Sequence, residues 1–215
     1  MLLTPNAKTL LIVFTAQNDP KLPRQTHTWG VLLHCYDGQV AASETISWLP
    51  TTGVIEPRRL NVEPGRNFSH AATLEWCRSI GIGRVSAWGP IEVHPSVARK
   101  FHDQRRCLES GAAGYQCLDF LGECGLRHTG YNCVTALDEI IGPTPTDLLH
   151  SYGDASGALI VGELLRRGWG RVAPAEDDAM VAAAGYFASP KGPPLVRRPT
   201  VLCGVGQATG YGALH

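Results

Sequence analysis

The feature that most constrains the fold is an apolar segment followed by a tight turn. Residues 27 to 35 read His-Thr-Trp-Gly-Val-Leu-Leu-His-Cys, which is rich in strand-forming side chains. Tyr36-Asp37-Gly38 has the composition of a turn, and residues 39 to 49 form a second strand-like run. The pattern predicts an antiparallel hairpin against which the rest of the chain must pack.

The turn is compatible with two registers of this hairpin. A three-residue loop with Gly38 in the left-handed conformation places His27 opposite Ser47, whereas a two-residue turn places it opposite Trp48. In the first register Ser47 can orient the His27 imidazole while Trp48 shields that bond from water. Glu44 is the alternative orienting residue, but it lies three residues earlier and needs a bulge to approach.

The remaining pattern predicts an α+β fold, with a small antiparallel sheet and packed helices. Further strands are expected at residues 9–16 and 84–88. Helix signals include a Ser69 N-cap, Pro95 in a first turn, and Gly111 as a stop. The predicted helices cover residues 69–81, 95–111, 132–142, 154–167 and 175–187. We expect one domain over residues 1–188 and a Pro/Gly-rich tail, extended or disordered, over residues 189–215.

Composition disfavours several classes of protein. Lys and Arg total 19, as do Asp and Glu, so the formal net charge is zero and no basic field would attract nucleic acid. The apolar run at residues 10–14 is too short for a signal segment or a membrane span. Seven cysteines without an export signal indicate reduced thiols. We therefore expect a cytoplasmic protein that has no membrane span and needs no cofactor.

Cys133 is the best candidate for a reactive thiolate. It follows Asn132, which can cap a helix whose apolar stripe includes Val134 and Leu137. A helix N-terminus lowers the pKa of a thiol because its unpaired N–H groups and dipole favour the anion. The same N–H groups could stabilise an oxyanion, with the Asn132 side chain as a second donor.

A thiol nucleophile also needs a base, and His27 is the candidate. An imidazole can take the proton of the thiol and later return it to the leaving group. His27 begins the first strand of the hairpin, about a hundred residues before Cys133. Ser47 is the third member of this predicted site.

The order of these motifs resembles a known superfamily. His-Thr-Trp-Gly-Val-Leu-Leu opening a hairpin, and Asn-Cys-Val-Thr-Ala-Leu opening a later helix, resemble the circularly permuted papain-like hydrolases and acyltransferases. These include lecithin retinol acyltransferase-like proteins and relatives of bacterial cell-wall peptidases. The resemblance covers roughly residues 25–141 and implies a permuted papain-like fold, with Cys133 as nucleophile and His27 as base. The acyltransferase branch carries a second histidine on the strand after the first, where this chain offers Glu44, Thr45 and Ser47.

The resemblance implies a cysteine-dependent hydrolase or acyl transferase acting on a peptide, amide or ester through a thioester. Two alternatives remain open. The first is a non-catalytic binding or scaffold protein on the same fold, which the weak orienting residue Ser47 favours. The second is a zinc-stabilised module, because four potential ligands fall within seventeen residues. These ligands are Cys117, Cys124, His128 and Cys133.

Overall fold

The computed structural model describes residues 7–59, 61–117, 130–142, 152–188 and 193–198. Within these ranges the chain is a mixed α+β protein with two mainly antiparallel sheets, which confirms the predicted class. Its strands are β1 (Lys8–Gln17), β2 (His27–Tyr36), β3 (Gln39–Ile46), β4 (Trp48–Pro50), β5 (Glu63–Asn67), β6 (Arg84–Val93), β7 (Gly114–Tyr115), β8 (Gly130–Tyr131), β9 (Gly170–Val172) and β10 (Leu195–Arg198). Its helices are α1 (His70–Ser79), α2 (Pro95–Glu109), α3 (Thr135–Ile141), α4 (Asp154–Arg166) and α5 (Ala175–Ala183).

β1 lies at the centre of the larger sheet, whose strand order is β10-β6-β1-β2-β3, with β9 also paired to β6. Successive side chains of a strand point to opposite faces, and both faces of β1 are covered. The Phe14 ring packs on His70 of α1 at 4.6 Å, while the Thr15 hydroxyl donates to Asp154 of α4 at 2.7 Å. This two-sided burial explains why residues 10–14 are an unbroken apolar run.

The hairpin has the two-residue turn of the second predicted alternative, but neither predicted pairing of His27, with Ser47 or with Trp48, forms in the ladder. Asp37 and Gly38 have φ angles of 47° and 73°, so that Tyr36 pairs with Gln39. The pairing then slips by one residue between Val40 and Ala42, which is a β-bulge. The bulge adds one residue to β3, and β3 ends one residue before Ser47.

The first two helices begin where the capping signals predict, whereas α3 begins at Thr135, three residues after the predicted start at Asn132. The Ser69 side chain accepts the Ala72 N–H at 3.2 Å at the start of α1, and Pro95 occupies the first turn of α2. Both helices end about two residues earlier than predicted, α2 at Glu109. The apolar stripe of α2 is buried as expected, through Val97, Phe101 and Leu108.

The smaller sheet has the order β4-β5-β7-β8. Its last two strands are parallel, with Gly114 opposite Gly130 and Tyr115 opposite Tyr131. This pairing brings the segment that follows α2 beside the segment that leads into α3. Residues 118–129, between the two strands, lie outside the described ranges.

Part of the predicted C-terminal tail belongs to the larger sheet. β10 pairs in parallel with β6, and Arg198 of β10 bonds the Asp154 carboxylate at 2.6 Å. The described fold therefore extends beyond residue 188 to Arg198. The parts of the predicted tail at residues 189–192 and 199–215 are outside the described ranges.

Candidate functional site

His27 and Ser47 form the hydrogen-bonded pair that the sequence predicts. His27 is the first residue of β2, and its Nε2 lies 2.8 Å from Ser47 Oγ; both residues are fully buried. The contact forms although the predicted register is wrong, because the chain leaves β3 and turns back at Ser47. Asn67 fixes that turn, since its Oδ1 accepts the Ser47 N–H at 2.8 Å.

A chain of hydroxyl groups continues beyond Ser47. Thr73 Oγ1 on α1 lies 2.7 Å from Ser47 Oγ and 2.8 Å from the Ser69 carbonyl oxygen. The Thr73 hydroxyl has one proton, and the Ser69 carbonyl can only accept. The Thr73 hydroxyl is the donor in both contacts, so its single proton is shared between Ser47 Oγ and the Ser69 carbonyl oxygen. The direction of the bond between Ser47 Oγ and His27 Nε2 depends on the tautomer of the ring. We refer to His27, Ser47, Thr73 and the Ser69 carbonyl as the relay.

A general base at His27 requires one particular tautomer of the ring. With the proton on Nε2, Nδ1 carries the lone pair that a general base needs. Nδ1 is buried and has no hydrogen-bond partner within the described ranges. Sequence analysis missed Thr73, although its hydroxyl one turn after the Ser69 cap is a spacing at which threonine bonds the carbonyl four residues earlier.

Aromatic rings enclose the imidazole. The Trp29 ring is stacked on His27 at 5.6 Å with an interplanar angle of 13°, and Trp76 approaches edge-on at 5.3 Å. Burial in this environment lowers the pKa of His27 to about 3. Trp48, which was expected to shield the bond to Ser47, instead donates its Nε1–H to the Gly114 carbonyl at 3.1 Å.

The thiol segment is capped as predicted. Asn132 Oδ1 accepts the N–H groups of Val134 at 2.8 Å and Thr135 at 2.9 Å, and Thr135 Oγ1 accepts the Asn132 N–H at 2.9 Å. The Asn132 Nδ2 donates to the Cys117 carbonyl at 3.3 Å. The Asn132 side chain is therefore occupied with capping and bracing in this structure, and the role of oxyanion donor that we expected for it is not seen.

Burial affects the pKa of the Cys133 thiol more strongly than the nearby helix N-terminus does. Desolvation raises the pKa of Cys133 to about 12, although hydrogen bonds from the backbone N–H groups of Thr28, Cys133 and Val134 lower it. The sequence-based expectation of a lowered pKa is thus wrong for the resting protein, because α3 has only seven residues and its first turn is desolvated.

Cys133 lies beside the strand that carries His27. Thr28 is the residue after His27, and its N–H donates toward Cys133 Sγ. The N–H is free for this because β3 pairs with β2 only from Gly30 onward. The Cys133 thiol therefore lies near the start of β2, but within the described ranges no hydrogen bond joins its sulfur to His27 Nδ1. The structure thus brings His27 and Ser47 together and leaves the predicted thiol–imidazole bond unformed.

Glu44, the alternative orienting residue, belongs to a different cluster. Its carboxylate accepts from His34 at 3.0 Å, His102 at 3.1 Å and Arg105 at 3.2 Å. These groups hold β3 against α2. Glu44 also lines a cavity of about 510 Å³ that includes Asn67 and Ser69 and so backs onto the relay, but contains neither His27 nor Cys133.

Only part of the predicted zinc cluster falls within the described residues. Cys117 lies close enough to Cys133 for the two thiols to interact electrostatically. Cys124 and His128 lie outside the described ranges. Within those ranges, no group of three or more His, Cys, Asp or Glu side chains could hold a metal ion.

Two findings concern the chain as a whole. No helix among the described residues is long and apolar enough to cross a membrane. No protein-family model, curated protein or solved structure matches the chain, so the assignment of the candidate site depends on the chain's own residues.

Proposed function

We propose that this protein is a thiol-dependent hydrolase or acyl transferase on a permuted papain-like fold. Its substrate is a peptide, another amide or an ester. The observation that carries the proposal is that Ser47 Oγ lies 2.8 Å from His27 Nε2 at the start of β2, while the N–H of the next residue, Thr28, interacts with the Cys133 thiol. Catalysis requires Cys133 Sγ to approach His27 Nδ1, because no hydrogen bond joins these two atoms among the described residues.

The proposed reaction begins with a neutral pair. His27 Nδ1 accepts the Cys133 proton as the sulfur attacks the carbonyl carbon, so proton transfer and attack are coupled. The C–N or C–O bond then breaks, and the leaving amine or alcohol takes the proton from His27. Water or an acceptor nucleophile attacks the thioester, gives its proton to His27, and releases the thiolate, which His27 reprotonates.

The relay supplies orientation in this scheme. In the proposed tautomer Ser47 accepts a hydrogen bond from Nε2–H and leaves Nδ1 as the basic nitrogen, which is the role that a carboxylate or carboxamide has in other thiol and serine hydrolases. Thr73 donates to Ser47 and holds its hydroxyl oxygen in place. Ser47 and Thr73 are thus positioning residues, whereas His27 and Cys133 touch the reacting atoms.

Labelling with chloroacetamide near neutral pH tests the proposal. Because the chain has seven cysteines, modification is read on the tryptic peptide of residues 128–166, which contains Cys133. We expect this peptide to be labelled in the wild type, not in Cys133→Ala, and more slowly in His27→Ala. Cys107→Ala, which removes an exposed cysteine on α2, is the matched control. Equal labelling of Cys133 in the wild type and His27→Ala contradicts the proposed base.

The buried, neutral pair also favours a second candidate, a binding protein that lacks catalysis. The low pKa of His27 makes it a weak base at rest. Turnover of a p-nitrophenyl ester separates the two candidates, because a thiol acyl-enzyme gives a burst of p-nitrophenol that Cys133→Ala abolishes. A binding protein gives no burst that depends on Cys133.

The position of Cys117 beside Cys133 keeps the zinc-stabilised module as a third candidate. Thiolates are preferred zinc ligands, and two of the four predicted ligands lie close together. Metal analysis of the purified chain tests it. One zinc per chain that is lost in Cys117→Ser and Cys133→Ser would support the module.

A further inference from the structure

A second thiol stands beside the proposed nucleophile, on the neighbouring strand. β7 and β8 are parallel and in register, with Tyr115 opposite Tyr131. The Gln116 N–H donates to the Tyr131 carbonyl at 3.0 Å, and Asn132 Nδ2 reaches the Cys117 carbonyl at 3.3 Å. The two segments therefore stay adjacent beyond the last strand pair, with Cys117 and Cys133 each two residues after its paired tyrosine.

Electrostatic interactions also link the two cysteines. Tyr115 interacts with both thiols, and Cys117 interacts with Cys133. Paired strands lie about 4.8 Å apart, and the Cα atoms of disulfide-bonded cysteines lie about 4.4–6.8 Å apart. Cys117 and Cys133 follow the last strand pair by two residues, so a disulfide requires the two segments to keep about this spacing.

We propose that Cys117 and Cys133 are a redox pair, in which a hydroperoxide converts the two thiols to a disulfide that blocks the thiol site. The pairing itself does not require catalysis by Cys133, but its regulatory meaning rests on the proposed function. This thiol chemistry is additional to the hydrolysis or acyl transfer proposed above.

The chemistry is a two-electron oxidation by hydrogen peroxide. The Cys133 sulfur attacks one peroxide oxygen, the O–O bond breaks, and sulfenic acid and water form. The Cys117 sulfur then attacks the sulfenic sulfur, the S–O bond breaks, and the second water leaves with the Cys117 proton. Both thiols are oxidised, the peroxide is reduced to two waters, and a dithiol reductant reverses the bond.

Burial raises the pKa of both thiols, and polar neighbours offset this only in part: backbone N–H groups act on Cys133 and the Tyr115 side chain acts on Cys117. We assign the first step to Cys133 and the resolving step to Cys117. Cys35 and Cys77 are buried elsewhere in the core, and Cys107 is exposed on α2. Among the cysteines that the structure describes, Cys117 is the one that interacts with Cys133.

The test treats the full-length protein with hydrogen peroxide, blocks free thiols and maps peptides without reduction. We expect a cross-link between tryptic peptides 107–127 and 128–166, lighter by about 2 Da than the two thiol peptides together. Peptide 107–127 also contains Cys107 and Cys124, so single Cys→Ser variants of all three cysteines identify the partner. The cross-link should persist in Cys107→Ser and Cys124→Ser and be lost in Cys117→Ser.

Recovery of the thiol gives an independent readout. Peroxide should abolish labelling of Cys133 in the wild type, and dithiothreitol should restore it. In Cys117→Ser the sulfenic acid has no resolving thiol and oxidises further, so labelling should not return. Cys117→Ala repeats the test if the serine variant fails to fold.

Three results would overturn the pair: no cross-link, a cross-link that survives Cys117→Ser, or full recovery of labelling in both Cys117 variants. These results differ from failure of the proposed function. That failure appears in the reduced protein, as labelling that is independent of His27 or as the absence of an ester burst.

Discussion

At the scale of single residues, the relay shows how a serine can take the place of a stronger orienting group. Ser47 has little directional preference of its own, because a hydroxyl can donate or accept. Thr73 restricts that freedom, since its hydroxyl donates to Ser47 Oγ as well as to the Ser69 carbonyl. The hydrogen bonds that Ser47 can offer His27 thus depend on a side chain that does not touch the ring.

Replacing Thr73 by valine tests this directionality. Thr73→Val keeps the branched shape but removes the hydroxyl that donates to Ser47, so the Ser47 hydroxyl can reorient and the tautomer populations of the His27 ring should change. Leaving Ser47 with one partner fewer should lower the free energy of unfolding by about 1–3 kcal/mol. ¹⁵N chemical shifts of the His27 ring and urea unfolding measure the two effects.

Thr73→Ser is the matched control for this substitution. It retains the hydroxyl and should keep the Nε2 proton on His27. Thr73→Val with an unchanged ring spectrum would show that the relay does not set the tautomer.

The low pKa of His27 predicts how stability varies with pH. The pKa is about 3 in the folded protein, against an unfolded value near 6.5, so the unfolded chain binds a proton first as pH falls. His27 makes its full contribution to the free energy of unfolding above about pH 6.5. This contribution, up to roughly 5 kcal/mol, is lost as pH falls toward 3. Urea unfolding between these pH values should show stability rising with pH.

His27→Gln should flatten this pH profile, because glutamine does not titrate. A residual slope of the same sign is expected from His70, whose pKa burial lowers to about 4. Parallel profiles for the wild type and His27→Gln would mean that His27 is not buried in its neutral form.

At the scale of elements, the hairpin has features that the sequence could predict and a register that it could not. The strands, the turn residues and the partners His27 and Ser47 were predictable from local composition. The register was not, because a bulge at residue 41 adds to the two-residue turn, and no residue there marks a bulge. The contact survives because β3 ends before Ser47 and Asn67 fixes the following turn.

The left-handed turn predicts that an alanine at Gly38 destabilises the protein, whereas an alanine at a helical glycine should stabilise it. Gly38 has a φ angle of 73° and open space where a Cβ would lie. Gly38→Ala should therefore lower the free energy of unfolding by about 1–2 kcal/mol, because alanine disfavours the left-handed backbone conformation. Gly162, within α4, also has open space, and Gly162→Ala should stabilise by up to about 1 kcal/mol through helix propensity. Thermal and urea unfolding measure both. Equal effects of the two substitutions would contradict the left-handed turn.

At the scale of the whole molecule, Asp154 links four elements. From the start of α4 its carboxylate accepts from Thr15 of β1 at 2.7 Å, Arg84 of β6 at 2.9 Å and Arg198 of β10 at 2.6 Å. Burial alone would raise the pKa of Asp154, but these bonds and one from Ser86 lower it overall. The sequence could not predict this hydrogen-bonded cluster around Asp154, because its members are far apart along the chain and share no local pattern.

Asp154→Asn should therefore destabilise the fold as a whole. The amide presents one acceptor in place of two and leaves two arginines without a counter-charge, so we expect a loss of about 1–3 kcal/mol at neutral pH. Because the bonded carboxylate has a lowered pKa, the difference from the wild type should shrink as pH falls through that pKa. Urea unfolding measures both, with the exposed Asp103→Asn on α2 as the control.

The position of Cys133 near the start of β2 has a consequence for the timing of biosynthesis. The hairpin, α1 and all members of the relay begin within residues 27–73, whereas the thiol comes 60 residues after Thr73. The base is thus translated well before the nucleophile, and the two can meet only after α3 has docked on the sheet. A growing chain carries a histidine without its thiol, so the chemistry proposed for the pair is absent until the fold has closed.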